Sequence, residues 1–127
     1  MLRTCFAVLA ATAAAKSCYD AVGTLGMEEG DIDITMSICF PKTDANGALA
    51  TGTGLYDDGS KKGQAFTVTQ AWVVQDTVLT LWGKEKIGKT TNLISVMCEL
   101  DESGLCSGYF SAQPSAVGTV SLQFAPK

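Results

Sequence analysis

From residue 30 onward the chain alternates with a period of two. In D-I-D-I-T-M-S-I-C-F, residues 31–40, Ile32, Ile34, Met36, Ile38 and Phe40 share one face. Asp31, Asp33, Thr35, Ser37 and Cys39 share the other. Successive side chains of a strand point to opposite faces, so this stretch reads as a half-buried β-strand. P-K-T-D-A-N-G follows, with Asn46-Gly47 as a hairpin signal. The small residues of A-L-A-T-G-T-G-L-Y, residues 48–56, predict a close-packed or strongly bent strand. After the turn D-D-G-S-K-K-G, residues 64–74 place Phe66, Val68, Trp72 and Val74 on one face. Further β-rich runs cover residues 76–82, 90–100, 105–112 and 117–124, with D-E-S-G and Q-P-S as turns between the last three.

Strands at such short spacing predict an all-β domain over residues 30–127. It is a single antiparallel β-barrel or sandwich of about seven to eight short strands. In strand number alone this pattern resembles calycin-type barrels such as lipocalins, although the G-x-W signature near a lipocalin's first strand is absent. Residues 16–29 read as an N-terminal arm or short helix crossing one end of the barrel.

The first fifteen residues differ from the rest. Arg3 is followed by T-C-F-A-V-L-A-A-T-A-A-A, an apolar run of twelve, with Ala13–Ala15 as a small-residue cleavage site. This is the pattern of a signal peptide over residues 1–15, and twelve apolar residues are too few to span a bilayer. Removal of Cys5 with that segment leaves Cys18, Cys39, Cys98 and Cys106, an even number suited to two disulfides in an exported chain. Cys98 alternates with Ile94, Val96 and Leu100, and Cys106 with Phe110 and Ala112, so both point inward on neighbouring strands. Cys39 lies on the polar face, where the N-terminal arm reaches it from outside. The favoured pairing is therefore Cys98–Cys106 and Cys18–Cys39. The first depends on register, because a slip of one residue puts the two cysteines on different faces.

Composition narrows the chemistry. The net charge of −4 disfavours nucleic acid as a partner, and the absence of histidine removes the usual general base and the commonest metal ligand. No serine has a histidine to activate it, and no cysteine pair has C-x-x-C spacing. Asp31 and Asp33, two apart on one strand face, are a carboxylate pair with the spacing for acid–base work, and a solvated outer wall accounts for them as well.

One string competes with this picture. G-K-E-K-I-G-K-T, residues 83–90, places Gly83, Gly88, Lys89 and Thr90 on the fixed positions of the phosphate loop G-x-x-x-x-G-K-[ST]. Such a loop follows a parallel strand and opens a helix. Here the flanks are β-rich, only 37 residues follow Thr90, and no Asp or Glu occurs after Glu102 to hold magnesium. The string therefore reads as a basic hairpin loop with at most a weak anion-binding character. The expected protein is a secreted, extracellular or periplasmic binding module with no catalytic residues, metal or cofactor. Its partner is an apolar small molecule or another protein, and Trp72, Trp82 and Phe66 are the candidate lining of a ligand cavity. The alternatives are a surface-assembly subunit pairing through a strand edge and, further off, a nucleotide-binding protein acting through Gly83–Thr90.

Overall fold

The computed structural model describes residues 17–40, 49–75, 77–113 and 116–127. The expected signal peptide and the Asn46-Gly47 turn lie outside the described residues. The chain is all-β. Among the described residues eight strands run β1 Ser17–Met27, β2 Gly30–Phe40, β3 Ala50–Tyr56, β4 Ala65–Val74, β5 Val78–Ile87, β6 Thr90–Leu100, β7 Leu105–Ala112 and β8 Ala116–Pro126. Each pairs antiparallel with its neighbours in sequence, and β8 pairs back to β1, so the sheet closes into an up-and-down barrel. Closure settles barrel over sandwich. Among the described residues every strand is thereby paired on both sides, and none presents a free edge.

Residues 16–29, expected as an arm or short helix, supply the strand that closes the barrel. Tyr19, Ala21, Gly23 and Leu25 alternate inward along β1. Gly23 sits where a Cβ would run into the backbone of β8, so the residue that hides the β pattern is the one that permits the close approach. Turn geometry is local. β5 and β6 meet at Gly88-Lys89, with Ile87 paired to Thr90, and Gly88 takes φ +63°. A positive φ at the first residue of a two-residue hairpin turn favours glycine.

The lumen is apolar, and the outer wall carries most of the polar side chains with exposed Val22, Leu93, Met97, Tyr109 and Val117 among them. Among the described residues no helix is long and apolar enough to cross a membrane. One end of the lumen is filled by Tyr19, Ile38, Phe40, Leu79, Leu100, Cys106 and Leu122, all at most 1% exposed. Both disulfides form as paired in the sequence reading. Cys18 and Cys39 face each other directly across β1 and β2. Cys98 and Cys106 are diagonal neighbours on the inner face: Cys98 pairs with Gly108, and Cys106 with Leu100. A Cβ at residue 108 would overlap the β6 backbone beside Cys98, so Gly108 makes room for the inward bridge.

A β-bulge in β4 overturns one face assignment. The register advances from Val68↔Gly83 to Gln70↔Trp82, leaving Thr69 as an extra residue, and the ladder to β3 shifts over the same stretch. Beyond the bulge the alternation reverses, so Ala71 and Val73 point inward and Val74 is exposed. Trp72 is half-buried on the outer wall and Trp82 is 53% exposed there.

Candidate functional site

The lumen opens at the end formed by Met27, Tyr56, Asn92 and Ala112. A hollow of about 260 Å³ lies there, bounded by apolar Leu25, Ile32 and Phe110 and by polar Tyr56, Lys61 and Asn92. A larger hollow of about 380 Å³ lies on the outer wall among Asp20, Thr35, Ser37, Thr53 and Leu55. The mouth is the better candidate because a buried charge stands behind it.

That charge is Glu85. Leu79, Leu81, Gly83 and Glu85 continue one inward alternation along β5, so a carboxylate enters an otherwise apolar lumen and is 1% exposed. Three donors meet it. The Tyr56 hydroxyl donates to Oε1 at 2.5 Å. Lys61 Nζ and Asn92 Nδ2 donate to Oε2 at 2.7 and 3.1 Å. Burying a carboxylate without partners is expensive, and these three contacts make it tolerable. Burial alone pushes the Glu85 carboxyl upward. The hydrogen bonds from Lys61, Tyr56 and Asn92, together with the Lys61 charge, outweigh it and hold the group below its ordinary range. The same arrangement moves Tyr56 the other way: burial first, then its hydrogen bond to the carboxylate and the carboxylate's charge, raise the phenol well above the usual tyrosine range. The set is therefore an ionised acceptor held by neutral and cationic donors.

The donors differ in how they are anchored. Tyr56 ends β3 and Asn92 lies in β6, both on the closed ladder. Lys61 belongs to a 3-10 turn, Gly59–Lys61, in the loop from β3 to β4, and that turn buries none of its residues. The loop closes on itself through Gly63 N–H to Tyr56 C=O at 2.9 Å and Gln64 N–H to Lys61 C=O at 2.8 Å. It is pinned to β2 by the Asp33 N–H donating to Asp58 Oδ1 at 2.8 Å. From it Lys61 reaches inward, with its ammonium 5.2 Å from the Tyr56 ring centre.

The sequence-derived candidates scatter around this site. Phe66 points into the lumen, packs against Tyr56 with ring centres 5.3 Å apart, and lies over Gly54, where no side chain would fit beneath it. Trp72 and Trp82 pack on each other outside, with ring centres 6.2 Å apart, and the wall of the barrel separates them from the mouth. The expected loop Gly83–Thr90 is corrected to strand as far as Ile87, leaving only Gly88-Lys89 as turn. Gly83 is buried against the β4 backbone while Lys89 and Thr90 are exposed, so the four positions form no common cradle. Asp31 and Asp33 lie on the outer wall, where Thr24 Oγ1 donates to Asp33 at 3.3 Å. Glu85 itself was missed because it sits inside the string read as a loop. Its parity with Leu79 and Leu81 was the available signal.

No protein-family model, curated protein or solved structure matches this chain. Among the described residues no group of three or more His, Cys, Asp or Glu is placed to hold a metal ion.

Proposed function

We propose that this chain is an exported, non-enzymatic binding module that takes a small, partly apolar ligand into the barrel mouth. The observation that carries this reading is the buried Glu85 carboxylate, held by Tyr56, Asn92 and Lys61 directly behind a hollow with both apolar and polar walls. Binding sites combine mostly apolar walls with a few placed polar groups, and the mouths of small barrels are a common position for them. The two disulfides support a compartment outside the reducing cytosol.

The neutral fluorophore N-phenyl-1-naphthylamine tests the reading. Its emission is expected to rise on addition of the folded protein, and Gln113→Trp, which fills the rim of the same hollow, is expected to abolish the rise. No rise with the native chain, or a rise that Gln113→Trp leaves unchanged, refutes a ligand in the mouth.

A further inference from the structure

We infer that the mouth recognises a small organic cation, a protonated primary amine on an apolar body, and that Lys61 is a tethered stand-in for it. The inference rests on the binding reading above and names the ligand's chemistry.

Three observations carry it. First, Glu85 Oε2 receives one donor from a strand, Asn92, and one from a surface loop, Lys61. The strand donors are fixed by the closed ladder. The loop donor reaches in from a turn that contributes no buried residue, so its long side chain can swing outward while the loop backbone stays pinned to β2. Second, the position filled by the Lys61 ammonium is a cation subsite as it stands: a carboxylate at 2.7 Å and an aromatic ring 5.2 Å from the nitrogen, which also attracts cations. Third, the remaining charge in the mouth is negative. Glu29 lines the same hollow, and Glu85 lies behind Lys61 and Asn92, so with Lys61 swung outward the mouth holds two carboxylates and no described cation.

An anionic ligand fares badly by the same account. Pairing it with Lys61 would draw the ammonium away from Glu85 and strand a buried carboxylate, which is strongly unfavourable. An incoming ammonium instead replaces one cation by another. Its apolar body would lie against Leu25, Ile32 and Phe110, and the displaced lysine would regain water. The Lys61 side chain is thus the part of the mouth that yields on binding.

The test uses one chain length and three head groups: n-hexylammonium, hexan-1-ol and hexanoate, titrated calorimetrically into the folded native chain and into Lys61→Met at neutral pH. Hexylammonium is expected to bind in preference to the other two. Its affinity should rise about tenfold or more in Lys61→Met, because a tethered competitor acts at a high effective concentration. A second readout needs no variant: amine-directed acetylation of Lys61, measured relative to exposed Lys62 in the same chain to correct for reagent consumed by the added amine, should accelerate when hexylammonium is present. Preference for hexanoate, or equal affinity for hexylammonium and hexan-1-ol in both proteins with unchanged Lys61 labelling, overturns the cation assignment while leaving a binding mouth in place. Absence of binding by all three probes in both proteins overturns the binding reading as well.

Discussion

The Tyr56 hydroxyl on β3 donates to Glu85 Oε1 on β5 at 2.5 Å, across the lumen side of the intervening strand β4. This contact joins a neutral donor to a buried charge. Removing such a donor leaves the acceptor short of a partner, so Tyr56→Phe should cost about 1.5–3 kcal/mol of unfolding free energy by urea titration near neutral pH. The deficit should shrink in acid, where a protonated Glu85 no longer needs every donor. A deficit that persists unchanged in acid would assign the loss to packing instead.

The same pair sets two limits on stability. Glu85 has a folded-state pKa below its unfolded value. Its contribution is present above the unfolded carboxylate pKa of about 4.3 and is lost as pH falls through the folded value. Tyr56 is displaced upward. Its contribution is fully present below the unfolded tyrosine pKa of about 10 and is lost as pH rises beyond it toward the folded value, since the unfolded chain releases a proton that the native one keeps. Unfolding free energy measured across pH should therefore fall on both sides. Glu85→Gln should flatten the acid limb and Tyr56→Phe the alkaline limb. If neither variant changes its limb, the cluster does not control pH stability.

How far the sequence could be read follows from which residues carry a pattern. Ile32 to Phe40 alternate without interruption and fill one wall of the lumen, so β2 and the all-β fold were legible. The cysteine faces were legible for the same reason. Trp72 was placed wrongly because one extra residue, Thr69, reverses the alternation, and nothing in T-V-T-Q-A-W marks a bulge. β1 was obscured by Ala21 and Gly23, small residues that face inward because the backbones approach closely. Glu85 was hidden by its own charge: a carboxylate between two lysines reads as solvated until its donors, 7, 24 and 29 residues away, are known.

Close approach makes its own prediction at Gly54. A methyl group there would overlap the Phe66 ring, which packs directly above it. Gly54→Ala should cost about 1–3 kcal/mol through overpacking. Phe66→Leu alone should also be unfavourable, but the double variant should lose less than the sum of the two single losses, since the smaller side chain clears the added methyl. Simple additivity in the double-mutant cycle would mean that the two positions do not share the strain.

The two disulfides should open at different rates. Cys98 and Cys106 are 2% and 0% exposed on the inner face, whereas Cys18 and Cys39 are half-buried on the outer wall. Thiol exchange requires access to a sulfur. Under a mild reductant in native buffer, mass spectrometry after alkylation should find Cys18 and Cys39 labelled first, with Cys98 and Cys106 labelled only as the barrel unfolds. Replacing either pair by serine or alanine should lower stability by roughly 2–4 kcal/mol. Early labelling of Cys106 in the folded protein would contradict the sealed end.

The phosphate-loop string ends in a turn, and its two turn residues should respond differently. Gly88 holds φ +63°, and an added Cβ would meet nothing within 4 Å. The cost of Gly88→Ala is thus backbone strain alone, about 1–2 kcal/mol. Lys89 is exposed, so Lys89→Ala should change stability by less than about 0.5 kcal/mol. Neither variant should alter any interaction with ATP and magnesium, because Gly83 is locked in the β5 ladder and cannot join a phosphate cradle with Lys89 and Thr90. Magnesium-dependent ATP binding that Lys89→Ala abolishes would require β5 and β6 to separate, and would overturn the hairpin as described.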